Sequence, residues 1–189
     1  MTKERDDATI TDPDRYNEFS NETRAAVRHI CETRKSVPPP SSYLADAGRA
    51  GSLLSDLVDH LRHHTSLTSA ETELAICTAA KVANADYIWD AHVRLGLQAG
   101  TRQIALPAVD THGPLDELTQ DEALIIRVGR ELLEAPRVAD ETFHAVRVRY
   151  GEKGLLELTA IMSVYMMNAS ILRVMDHRAA ANARHLTLR

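Results

Sequence analysis

Apolar positions in this chain recur at three- and four-residue intervals, and no segment alternates in twos, so the pattern predicts helices and no half-buried strand. "GSLLSDLVDHLRHH" puts Leu53, Leu54, Leu57, Val58 and Leu61 on an i, i+3, i+4 face. "TSAE" at Thr68–Glu71 has the form of a capping box, opening "ELAICTAAKVA", which is apolar nearly all round and is therefore expected to be buried. "NAD" at 84–86 supplies a turn with Asp86 as cap, and the next helix runs from about Tyr87 to Ala99, with Gly100 placed for a left-handed C-terminal cap. "RQIALPAV" reads as a short helix broken at Pro107. Thr119–Glu122 is a second capping box, before "DEALIIRVGRELLEA". Asp140 caps "ETFHAVRVRY", which stops at Gly151, and "LLELTAIMSVYMMNASILRVMDHR" is the last long helix. Upstream, "RYNEFSNETRAAVRHICETRK" carries Phe19, Val27, Ile30 and Cys31 as its apolar positions, and the prolines of "SVPPPSS" end it in a linker or extended wrap. The expected fold is an all-α helical bundle. Residues 1–42 form an arm with one helix and a Pro-rich linker, 43–178 the helical domain and 179–189 a tail.

Composition narrows the class. Hydrophobic residues make up 44% of the 189 and charged residues 26%, ordinary for a globular chain, while aromatics at 4% and only 8 glycines favour helices packed through small and medium side chains. The net charge of −5 is interspersed without a basic stripe, which argues against nucleic-acid binding. The sequence shows no apolar run near 18 residues and no hydrophobic signal region, so neither a membrane span nor secretion is expected. Cys31 and Cys77 lie far apart, which disfavours a disulfide framework or zinc knuckle and makes a reducing cytoplasm the default. His60, His63 and His64 share one helix face at a spacing that can hold zinc, but no thiolate or carboxylate reinforces them. They read as a solvated edge, and no metal is expected. Cys77 reads as a small core hydrophobe, and the Met-rich last helix as core or subunit interface, with Tyr165 and Arg173 as further pocket-lining candidates.

"ETELAICTAAKVANADYIWDAHVRLGLQAG" resembles the core of the carboxymuconolactone decarboxylase and alkylhydroperoxidase D-like superfamily. The shared features are a Glu-Leu pair opening a buried helix, a short turn, a helix with Trp-x-x-His and a terminal Gly. Glu73 and His92 are nineteen positions apart, the family's own spacing. The similarity covers roughly residues 43 to 178. A weak internal echo pairs Glu73-Leu74 and Asp90-Ala91-His92 with Glu157-Leu158 and Asp176-His177, in keeping with that family's duplicated helices. The resemblance implies a helical bundle in which Glu73 and His92 share a pocket, within a homo-oligomer, a trimer or hexamer. Two departures narrow what it implies. The family's redox cysteines fall at Ala85 and Ile88, so a dithiol peroxidase cycle on this motif is chemically excluded. "TRQIALPAVDTHG" also lacks the Glu-Ile-x-Glu…Tyr-x-Gly-x-Pro pattern of the decarboxylase that names the family, which argues against the β-ketoadipate-pathway activity.

Helix geometry alone does not put Glu73 opposite His92 in a simple hairpin; contact requires a bend or a neighbouring helix. Should they meet, the carboxylate would fix the imidazole tautomer and raise its basicity, making His92 a general acid or base. The expected catalytic residues are His92, Glu73 and Tyr87, with Trp89, Ile88 and Ala85 lining the substrate, and no cofactor or metal. The bland alternatives are a structural His92, a Glu73 serving the helix dipole, and Tyr87 and Trp89 as packing. The leading expectation is a decarboxylase-like lyase acting on a small organic acid or lactone. The alternatives are a non-catalytic oligomeric binding or assembly protein on the same scaffold, and a Cys77-dependent peroxidase-like protein.

Overall fold

The computed structural model describes residues 19–33 and 38–177. Among these the chain is all-helical, with eight helices and no strand. They are α1 (Asn21–Thr33), α2 (Pro39–Ala45), α3 (Arg49–His63), α4 (Ser69–Val82), α5 (Asp86–Ala99), α6 (Ala105–Asp110), α7 (Gln120–Glu134) and α8 (Asp140–Val174). The described residues form two compact units, one of 19–60 with 171–177 and one of 61–170, so the division runs through α3 and α8.

In the first unit, the Ser20 hydroxyl accepts from the Thr23 N–H at 3.1 Å and starts α1. Ala26, Val27 and Ile30 pack with Ala45 of α2, and Phe19 closes over them. Cys31, expected on this apolar face, is exposed. The proline run does not make an extended wrap. Pro38 is extended (φ −65°, ψ 149°), and Pro39 and Pro40 open α2. First-turn residues have no intrahelical acceptor for an N–H, so proline loses nothing there. Tyr43 Oη and His177 Nδ1 hydrogen-bond at 2.9 Å.

The second unit is built round α4, which packs against α5, α6 and α7. Every residue from Thr72 to Ala80 is buried, as the unbroken apolar pattern requires. Both capping boxes form as read: Thr68 with Glu71 opens α4, and Thr119 with Glu122 opens α7. Pro107 does not break α6, because it falls in that helix's first turn. Asp140 is the first residue of α8 rather than its cap. Gly151 interrupts α8 with φ 71°, as its place in the sequence suggested. Along α3, Leu54, Val58 and Leu61 are buried while Leu53 and Leu57 are exposed, so one of its two apolar columns faces out. The second part of α8 buries Leu158, Ile161, Met162 and Tyr165. This corrects the sequence reading of the chain's apolar runs: α8 is long and apolar enough to cross a membrane, and 44% of its most apolar window is buried inside the protein.

Gly129 sets the spacing of this core. A Cβ there would lie 2.7 Å from Thr78 Cγ2 and 3.0 Å from Met162 Cε. Thr78 cannot turn aside without giving up its hydroxyl bond to the Leu74 carbonyl, 2.9 Å. Gly129→Ala is therefore expected to destabilise the fold by about 1–2 kcal/mol net, despite alanine's better helix propensity. Adding Thr78→Ser, which deletes the obstructing methyl, should recover part of that loss in urea denaturation. Equal stability of the parent, single and double variants would mean that helix approach is not limiting at this position.

Candidate active site

The capping box fixes the first turn of α4: Glu71 N–H donates to Thr68 Oγ1 at 3.2 Å and Thr68 N–H to Glu71 Oε2 at 2.7 Å. That turn carries Glu73 into the interior, where the residue is only 5% exposed. A carboxylate so placed needs partners on both oxygens. The Arg62 Nη2–H, from the end of α3, donates to Oε1 at 2.7 Å. His92 Nδ1, from α5, lies 2.6 Å from Oε2. Since a carboxylate only accepts, the shared proton sits on Nδ1 and the lone pair on Nε2. The Tyr165 ring of α8 meets the imidazole edge-on, with centroids 5.0 Å apart at 84°.

Two features bring α5 close enough for this bond. Gly96, one turn beyond His92, faces α4 so closely that a Cβ would lie 3.4 Å from Glu73 Cβ and 3.2 Å from Thr101 Oγ1. Gly100 then ends α5 at φ 98°, with Thr101 N–H bonding back to the Gly96 carbonyl at 2.8 Å, a Schellman closure. Thr101 Oγ1–H donates in turn to the Ala70 carbonyl at 3.1 Å, tying the end of α5 to the start of α4. Glu73 lies nine residues before Val82 and His92 six after Asp86. The axial mismatch is about 4.5 Å, which a glutamate tether and an imidazole span.

The electrostatics fix the protonation state. Burial alone would raise the Glu73 pKa, but the His92 hydrogen bond, the charge His92 carries once protonated, and the charge and hydrogen bond of Arg62 outweigh it and hold the carboxyl below its ordinary 4.5. Burial depresses His92 below its ordinary 6.5, against the opposing pull of Glu73 and with the help of Arg62's charge. Burial, the largest of these influences, therefore leaves the imidazole neutral at neutral pH. Its side chain keeps 10% of its surface exposed.

The structure brings together Glu73, His92 and Tyr165 of the sequence candidates, and adds Arg62 and Gly96. Arg62 carries no sequence signal of its own; it stands within "DHLRHH", whose three histidines are all exposed. Tyr87 is half-buried near the start of α5, and Ile88, one turn before His92, is buried. Ala85 is the residue before α5 and offers no side-chain cap, while Asp86 is the first helical residue rather than the cap. Trp89 is buried with Lys81 Nζ 5.0 Å above its ring. Arg173 is exposed in the first unit. The internal echo builds no second pair of this kind: Glu157 accepts from the Ser66 N–H at 3.0 Å, and His177 bonds Tyr43. Cys77, one turn after Glu73, is fully buried, and burial first and the Glu73 charge second push its thiol far above its ordinary range. Among the described residues no group of three or more His, Cys, Asp and Glu side chains is placed to hold a metal ion.

Comparison of the chain with protein-family models and with curated proteins found no match.

Two outcomes follow from this geometry. As pH falls below 6.5 the unfolded chain takes up a proton that buried His92 resists, so stability is lost with acidification; Glu73 adds a further loss as pH falls below 4.5 through its lower folded value. Between pH 6.5 and 4.5 the melting temperature should fall more steeply for the parent than for His92→Gln, whose amide can still donate to Glu73 but does not titrate in that range. Parallel curves would remove His92 as the titrating group. In the native protein a thiol reagent should label exposed Cys31 and spare Cys77, while both react after denaturation. Native labelling of Cys77 would reopen thiol chemistry at the site.

Proposed function

We propose that the protein is a cofactor-free acid–base enzyme in which His92 Nε2 moves a proton on a small organic acid or lactone. The observation that carries this reading is the buried 2.6 Å hydrogen bond from His92 Nδ1–H to the Glu73 carboxylate. It holds one tautomer, and Arg62 fixes the carboxylate from its other oxygen. A base held by a third, orienting group is the general pattern of proton-transfer centres. The resemblance to the carboxymuconolactone decarboxylase and alkylhydroperoxidase D-like group supports the same pair of residues, with Ala85 and Ile88 where that group's redox members carry cysteines.

A neutral imidazole acts first as base. It takes a C–H proton next to a carbonyl, or a water proton during attack on a lactone carbonyl, and the imidazolium formed is stabilised by Glu73. The proton then returns to carbon or to the leaving oxygen. In a decarboxylation, the carbon left by CO₂ takes a proton from the same imidazolium, charged from the acid itself or from water. Glu73 and Arg62 are positioning residues in this scheme, and Tyr165 restricts the ring.

A second reading, a non-catalytic oligomeric binding or assembly protein, draws on a different observation. Three described clefts, of about 480, 590 and 210 Å³, are lined by other residues than Glu73 and His92.

The test measures CO₂ release from small β-keto and β,γ-unsaturated acids, and proton exchange or ring opening of small unsaturated lactones. His92→Ala is expected to lower turnover on the order of 100- to 10,000-fold. The acid limb of kcat/KM should lie below pH 6.5, because burial depresses the base. A parent protein inactive on the whole set, or an equally active His92→Ala, would favour the assembly reading.

A further inference from the structure

Within the second unit, the kinked α8 holds the start of α4 and the connection before it, residues 64–68, from both sides of its break. Before the break, Tyr150 Oη–H donates to Glu71 Oε1 at 3.0 Å. After it, Glu157 Oε2 accepts from the Ser66 N–H at 3.0 Å and from the Ser66 hydroxyl. Gly151 turns one limb into the other at φ 71° and ψ −179°, a conformation that only glycine enters freely. Gly154 lets the grip close, since a Cβ there would lie 2.6 Å from Tyr150 Cβ and 3.8 Å from Ser66 Oγ. The phenol ring is also placed from α7. Arg149 Cζ lies 4.9 Å from the ring centroid, and its guanidinium is bidentate on Asp121 at 2.6 and 2.8 Å. Burial and the Glu71 charge push the phenol pKa up, so Tyr150 remains a donor.

Glu71 is where this grip reaches the site. Its Oε2 closes the capping box, accepting from the Thr68 N–H and hydroxyl at 2.7 and 2.8 Å, while Oε1 takes Tyr150. Glu71 and Glu73 are two positions apart, about 200° round the helix. One side of the first turn is therefore held from α8 while nearly the opposite side presents Glu73 to His92 at 2.6 Å. That pair already bridges an axial mismatch of about 4.5 Å, so a small slide or rotation of the turn acts directly on its hydrogen bond. The capping box ties the turn only to its own preceding loop. Thr101 ties it to the end of α5, and Tyr150 ties it to α8.

We infer that Tyr150 is a positioning residue for the His92–Glu73 pair, acting through Glu71 on the first turn of α4. Its bearing on turnover rests on the acid–base reading above; its effect on the imidazole does not.

The experiment follows the His92 Nδ1–H resonance, and its exchange with water, by NMR in the folded full chain. Tyr150→Phe removes the donor and keeps the ring. The resonance is expected to move upfield as the bond to Glu73 lengthens, and the proton to exchange severalfold faster. Glu71→Gln leaves one acceptor oxygen where the carboxylate has two, so it cannot serve Thr68 and Tyr150 as before and should reproduce the change. The double variant should go no further than the larger single change, because both cut one path. Arg137→Gln, which removes an exposed ion pair with Asp140 at the start of α8, should leave the resonance in place. On any acid or lactone that the parent turns over, Tyr150→Phe should lower kcat about tenfold at unchanged KM. The proposal is overturned by a resonance unmoved in folded Tyr150→Phe and Glu71→Gln, by changes that add fully in the double variant, or by an equal shift in Arg137→Gln. A parent inactive on every substrate would count against the acid–base reading alone.

Discussion

A carboxylate inside a fully packed helix is the constraint on which the second unit depends. From Thr72 to Ala80 α4 has no exposed face, yet its fifth residue is Glu73. A bare charge there would cost several kcal/mol, more than a domain of this size can absorb unpaired. Arg62 and His92 on its two oxygens remove that cost, and each imposes a condition on the chain. Arg62 must reach across from the last turn of α3. For His92 to reach, α5 must lie close against α4, which Gly96 permits and the Thr101–Ala70 bond holds.

What was legible in the sequence is what short-range chemistry decides. The two capping boxes, the left-handed Gly100 and the break at Gly151 depend on residues within a turn of one another, and all are present. Proline was misread wherever it was treated only as a breaker. Pro39, Pro40 and Pro107 sit in first turns, where a missing N–H costs nothing, and position relative to the helix start cannot be taken from the residue type. The exposed column of α3 was hidden for another reason: Leu53 and Leu57 fit the same period as Leu54 and Val58, and only the neighbours decide which column is covered.

The site divides the same way. Glu73 and His92 were named from a resemblance, while helix arithmetic argued against their contact because it counted backbone positions and ignored the reach of two side chains. Arg62 was illegible, since a half-buried arginine among exposed histidines looks like any solvated helix end. Its role exists only once α3 and α4 are brought together.

A buried Arg–Glu–His set is not the cheapest way to fill its volume, because apolar side chains of similar size are often as stable or more so. What the set supplies that leucines could not is a particular state of the imidazole. With Glu73 alone, the ring would be drawn toward protonation. With Arg62 on the other oxygen, the carboxylate keeps its orienting hydrogen bond while its pull on a second proton is partly offset, and burial then keeps His92 neutral. The result is a single tautomer with its lone pair turned away from the carboxylate, on a side chain that keeps 10% of its surface exposed. Under the proposed reading, the nitrogen bearing that lone pair is the reactive atom, with the apolar Ile88 one turn before it.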